Sequence, residues 1–176
     1  MLVSNPALTV MPDGRILLIY KGVQDTTGGD TSKKNGVVKI GVAIADDPQG
    51  PFVRQEGLIF EGEGTLAAED PFVWYSERNK KYYAVVRDAS ASFTGIEGAL
   101  ALFESVDGVS DWQPAKNILV LDNYITWEDG TTNNSRVERP WLMFDDNGEP
   151  VMLFGATRIN NNESFTTNVF IPLSSE

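Results

Sequence analysis

Apolar residues along this chain fall in short runs rich in β-branched and aromatic side chains, and Gly, Pro, Asp and Asn fill the gaps. That is strand-and-turn patterning. No stretch of ten or more residues shows the 3.6-residue period of an amphipathic helix. Three places carry the same order of events. Ser4-Asn5-Pro6 leads into ALTVM, the turn PDG and RILLIY; Glu69-Asp70-Pro71 leads into FVWYS, ERNK and KYYAVV; Val137-Glu138-Arg139-Pro140 leads into WLMF, DDNG and EPVMLF. Gly14, Asn79 and Gly148 each stand eight positions after their proline, and the prolines are 65 and 69 residues apart. Each phrase reads as a strand, a tight turn and a returning strand.

The outer half of each unit also repeats. The run from Ile40 to Ala45 is followed by Asp46-Asp47-Pro48-Gln49-Gly50-Pro51-Phe52, and the run from Gly98 to Ser105 by Asp107-Gly108 and Asp111-Trp112. Four strands per unit result: the proline strand, its hairpin mate, a middle strand and an edge. Antiparallel repeats of this length predict an all-β fold, a β-propeller of four-stranded blades. The blades are expected at about 1–60, 61–132 and 133–176 of one domain over residues 1–176, the third ending after the strand in TTNVFIPL. Long Gly- and Thr-rich loops are expected at Val23–Asn35 and Asn123–Arg136, and a polar loop at Asn160–Ser164. Three blades do not close a propeller, so the chain is expected to be part of a longer protein or to assemble with other copies.

Composition narrows the chemistry. The 176 residues are 41% hydrophobic and 22% charged, with a net charge of −11. Such an acidic chain is a poor match for nucleic acid or an anionic membrane, which need clustered Lys and Arg. No apolar run approaches the length of a membrane span. MLVSNPALTV has no basic segment and no long apolar stretch, so no signal peptide is read there. A leader further upstream would point to an extracellular or periplasmic protein, and otherwise the cytoplasm is expected. Cysteine and histidine are both absent. That excludes disulfides, thiol nucleophiles, a Ser-His-Asp triad and histidine-ligated zinc. Acid–base work falls to Asp, Glu, Tyr or Lys.

The three proline phrases resemble those of the five-bladed β-propeller glycoside hydrolases, the broad group that includes families 43, 32, 62, 68 and 117, over nearly the whole chain. Glu69-Asp70-Pro71-Phe72-Val73-Trp74 resembles the segment carrying the aspartate that tunes the catalytic acid in family 43. Glu138-Arg139-Pro140 resembles the segment carrying the general acid. The resemblance implies about three of five blades here, with the blade bearing the base lying ahead of Met1. It further implies a carbohydrate substrate, no cofactor and no metal. Asp70 and Glu138 are then the catalytic candidates. Asn5, Glu69, Arg87, Trp127 and Arg139 are candidate substrate contacts, with Trp127 in the loop TWEDG as a stacking platform. Asn5 is no substitute base, since an amide takes no proton at neutral pH.

Cleavage of a glycosidic bond needs one protonated carboxyl and one ionised carboxylate across the bond. A neighbouring anion raises the pKa of the acid, and Asp70 from the adjacent blade is expected to do this for Glu138. Bland roles stand beside these. Glu69 and Asp70 are also suited to capping a turn, Glu138 to pairing with Arg136 or Arg139, and Arg87-Asp88 to a structural ion pair. Trp74, Trp112 and Trp141 are expected in the core between blades. Asp145-Asp146-Asn147-Gly148 resembles part of a calcium loop, but it lies at a hairpin and is read as a turn. Three functions remain open: a glycosidase acting on a plant, algal or microbial glycan, a non-catalytic carbohydrate- or protein-binding propeller, and a family 130-like phosphorylase. The isolated chain is expected to be inactive alone, its missing partners being further blades or another copy of itself.

Overall fold

The computed structural model describes residues 2–23, 36–158 and 166–173, and all secondary structure among them is β. Most of the loop expected at Val23–Asn35 and the whole of Asn160–Ser164 lie outside the described residues. A first sheet contains β1 (Leu2–Val10), β2 (Ile16–Val23), β3 (Val38–Ala45) and β4 (Val53–Arg54) in chain order. A second contains β5 (Ala68–Ser76), β6 (Lys81–Asp88), β7 (Leu100–Ser105) and β8 (Gln113–Leu121). The small ribbon of β9 (Tyr124–Thr126) and β10 (Thr132–Asn134) follows, and then a third sheet of β11 (Val137–Phe144), β12 (Pro150–Thr157) and β13 (Thr167–Pro172). Every strand pairing within the sheets is antiparallel. The ribbon occupies most of the segment from Asn123 to Arg136 that the sequence marks as loop.

Two apolar layers separate the three sheets, and period-2 alternation explains how the middle sheet serves both. Val73, Ala84, Val86, Ala101 and Phe103 of the second sheet meet Ala7, Leu17, Ile19, Ile40 and Val42 of the first. The intervening residues Phe72, Trp74, Val85, Leu100 and Leu102 meet Leu142, Leu153 and Val169 of the third. Strands of the second sheet are therefore apolar on both faces, and Tyr82-Tyr83-Ala84-Val85-Val86 runs with no polar interruption. Trp74 lies between Tyr83 and Phe144, with ring centroids at 5.4 and 5.8 Å. Trp112 meets Phe60 edge-on at 5.3 Å. Both are inter-sheet residues.

The first strand of each sheet is an edge strand, and β1, β5 and β11 lie side by side with β5 in the middle. The prolines were expected to open these strands. Instead each lies within its strand at a break in pairing register, between Ser4 and Ala7, Glu69 and Phe72, and Glu138 and Trp141. A residue without an N–H fits an edge strand at a bulge. The residue before each proline is left-handed: φ is 51° at Asn5, 50° at Asp70 and 53° at Arg139. Asn and Asp accept that conformation readily, whereas for other side chains it costs about 1–2 kcal/mol. Turns hold the strand pairs in register. At Asp145–Gly148 the Asp145 carboxylate accepts backbone N–H bonds from Asn147 and Glu149, both at 2.9 Å.

Truncating Ile19, fully buried between the first two sheets, is expected to cost about 2–5 kcal/mol in a urea titration. Val106→Ala, in an exposed turn, is expected to stay within about 0.5 kcal/mol. Equal losses would contradict the placement of the core.

Candidate functional site

The three bulges converge. Asn5, Pro6, Ala7 and Leu8 of β1, Asp70, Pro71, Phe72 and Val73 of β5, and Arg139, Pro140 and Trp141 of β11 line one cleft of about 550 Å³. Asp70 is at its centre and 6% exposed. One carboxylate oxygen accepts a hydrogen bond from the Asn5 amide, and the other accepts the Arg139 backbone N–H at 3.3 Å. A single side chain thus ties β5 to β1 on one side and β11 on the other. Burial pushes the Asp70 carboxyl above its ordinary value, and the negative charge of Glu69 adds to the rise against the opposing pull of Arg139.

Glu69 has different partners from Asp70. It stands opposite Arg87 across the β5–β6 pair and forms ion pairs with Arg87 and with Lys21 of the first sheet. Burial works to raise its pKa, but hydrogen bonds from Lys21 and Arg87 outweigh it and the net shift is downward. Arg87 is buried in this contact, and its Nε has no hydrogen-bond partner. Glu69 and Arg87, expected from sequence as substrate contacts, are engaged in these ion pairs and are not among the residues that line the cleft. Asp88 does not pair with Arg87. It is fully buried and accepts bonds from the backbone N–H groups of Ser92, Phe93 and Thr94 at 2.8–3.0 Å.

Glu138 lines a second, smaller cleft of about 150 Å³ with Arg136, Arg139, Ala156, Thr157, Arg158 and Thr166. The Arg136 guanidinium lies 2.6 Å from its carboxylate, so in this arrangement Glu138 is an ion-pair acceptor. Arg139 borders both clefts, and among the described residues its guanidinium enters no ion pair. Trp127, the expected stacking platform, packs partly into the apolar layer beside the third sheet, and its ring N–H is buried. Trp141, expected in the core, is 54% exposed on the larger cleft, edge-on to Phe72 at 6.1 Å. The alternation Trp141-Leu142-Met143 carries the signal for this: Leu142 faces the second sheet, so its neighbours face away from it.

No protein-family model matches the sequence, and no curated protein matches it. Solved structures do. The chain is similar to a family 117 glycoside hydrolase, Zg3597, from the marine bacterium Zobellia galactanivorans, at 16% identity and a TM-score of 0.53, covering 96% of this chain and 40% of that one. It is similar to the catalytic domain of a family 62 α-L-arabinofuranosidase from Coprinopsis cinerea, at 13% identity and a TM-score of 0.51, covering 97% and 46%. A third match, at 17% identity and a TM-score of 0.52, covers 98% and 49%. It belongs to family 130 of mannoside phosphorylases, described as containing hydrolases that target β-1,2 mannosidic linkages in Candida mannan. The fold is that of glycoside-hydrolase-like β-propellers. The chain spans less than half the length of each of these three structures.

The two adjacent acids are expected to respond oppositely to pH. The lowered pKa of Glu69 means that it stabilises the fold above its ordinary value of 4.5 and loses that contribution as pH falls through the folded pKa. Glu69→Gln should therefore cost about 1–3 kcal/mol at pH 7, and the deficit should close in strong acid. The raised pKa of Asp70 means that its contribution is fully present below 3.8 and declines as pH rises through the folded pKa. Relative to wild type, Asp70→Asn should gain stability between pH 3 and pH 7. Urea titrations at the two pH values check both signs.

Proposed function

We propose that these sheets are successive blades of a five-bladed carbohydrate-active propeller, and that the cleft at the three bulges binds a saccharide for glycosidic-bond hydrolysis by carboxylate acid–base chemistry. The convergence of Asn5, Asp70 and Arg139 on one cleft, with Asp70 buried and raised in pKa, supports this reading most directly. In it Trp141 offers an apolar ring face to the sugar, and Asn5 and the Arg139 N–H fix the orientation of the Asp70 carboxylate.

Glu138 is the proposed proton donor and Asp70 the proposed assisting carboxylate on the adjacent strand. In this arrangement the Glu138 carboxyl is occupied by Arg136, so this role requires the Arg136–Glu138 contact to loosen when substrate enters. That contact favours a second reading, in which the cleft binds a glycan without cleaving it. In the full protein, Glu138→Gln should abolish hydrolysis of glycosides with poor leaving groups and spare activated aryl glycosides. Losing an acid–base group costs about 10²–10⁴-fold. Asp70→Asn should lower turnover of both kinds of substrate. Full activity in both variants would overturn the catalytic assignment. Saccharide binding without any release of reducing sugar by the wild type would establish the binding reading.

A further inference from the structure

The smaller cleft has a composition at odds with the chain around it. Three of the seven arginines in a protein of net charge −11 line this one space, and among the described residues Glu138 is the only acid that lines it. Arg136 is ion-paired with Glu138 there, and the Arg139 guanidinium enters no ion pair among the described residues. Thr157 and Thr166 also line it.

The arginines are also held in place. The stem of Arg136 crosses Gly98 so closely that a Cβ there would stand 2.8 Å from Arg136 Cδ, and Gly98 has a φ of 87°. Thr157 Oγ1 donates to the Arg136 carbonyl at 2.8 Å. Arg139 occupies the left-handed position that its counterparts give to Asn and Asp, so an arginine is kept where the backbone favours another residue. Such strain is retained where the surroundings over-determine it, commonly at ligand sites. Its N–H is tied to Asp70, and its guanidinium enters no ion pair among the described residues.

We infer that this cleft is an oxyanion subsite, and that the saccharide of the neighbouring cleft is acidic, bearing a carboxylate or sulfate that Arg136 and Arg139 receive. This rests on the saccharide reading of the larger cleft. Planar guanidinium groups take carboxylate, sulfate and phosphate by paired hydrogen bonds, which a neutral hydroxyl does not reproduce. The volumes suit the division: about 550 Å³ for sugar rings and about 150 Å³ for one substituent, with Arg139 on the border. An arriving anion also competes with Glu138 for Arg136, which is the loosening that the proposed proton donor requires.

The test is calorimetric titration of the full protein with trigalacturonate, its methyl ester, a sulfated oligosaccharide and inorganic phosphate, in wild type and Arg139→Asn. Asparagine at position 139 suits the backbone, since Asn5 adopts nearly the same φ. An acidic oligosaccharide should bind the wild type about tenfold or more tightly than the neutral ester. That preference should fall with added salt and disappear in Arg139→Asn, so that the acidic oligosaccharide and its ester bind the variant equally. Equal affinity for acidic and neutral oligosaccharides would overturn the oxyanion subsite and leave the saccharide cleft standing. Binding of phosphate with no saccharide bound would overturn the sugar-borne assignment together with the saccharide reading.

Discussion

The Asp70 carboxylate is the contact around which the rest of the site is arranged. It accepts from Asn5 on one side strand and from the Arg139 backbone on the other, and so fixes the spacing of β1, β5 and β11. Hydrophobic layers bring the sheets together, but those layers are non-directional and would tolerate some sliding. A buried carboxylate with two strand-borne donors does not, because an unmade hydrogen bond at such a depth costs more than a made one returns. The ion pair of Glu69 with Lys21 adds a second tie between the first two sheets beside it, and Arg87 holds Glu69 from within its own sheet. Burial has a consequence for chemistry as well: it raises the pKa of the group that does the tying.

The proline bulges make this convergence possible. In a regular strand, neighbouring residues point to opposite faces, and the residues before the prolines would follow their strands' faces into the inter-sheet layers or away from them. A register break and a left-handed residue re-aim them toward the shared cleft. Three copies of one backbone device thus present three different side chains, an amide, a carboxylic acid and a guanidinium, at one place. Chemistry changes while geometry repeats.

Much of this architecture is visible in the amino-acid pattern. The hairpins around Gly14, Asn79 and Gly148, the outer strands and the repetition of the units follow from alternation and turn residues, which are local signals. What the pattern hides depends on contacts distant in sequence. Lys21 meets Glu69 across 48 positions, and nothing near Glu69 announces that its charge is already taken. The proline phrases mark the bulges, yet a proline alone suggests a strand beginning as readily as a strand interrupted. Trp127 and Trp141 lie in places other than those expected for a similar reason. A tryptophan in a polar loop looks available, but the β9–β10 ribbon turns this one toward the apolar layer, and Trp141 alternates outward from a strand that reads as core. Arg136 is legible in the sequence only as an ion-pair partner for Glu138, and its close packing on Gly98 is a contact distant in sequence.

The central claim is that the three bulges form one ligand site. The most direct measurement is a backbone amide NMR titration of the protein with oligosaccharides. The account predicts that the largest shifts fall together on Asn5, Ala7 and Leu8, on Asp70, Phe72 and Val73, and on Arg139 and Trp141, with one common binding isotherm. Shifts confined to the outer strands or the turns, or separate isotherms for the three segments, would contradict it.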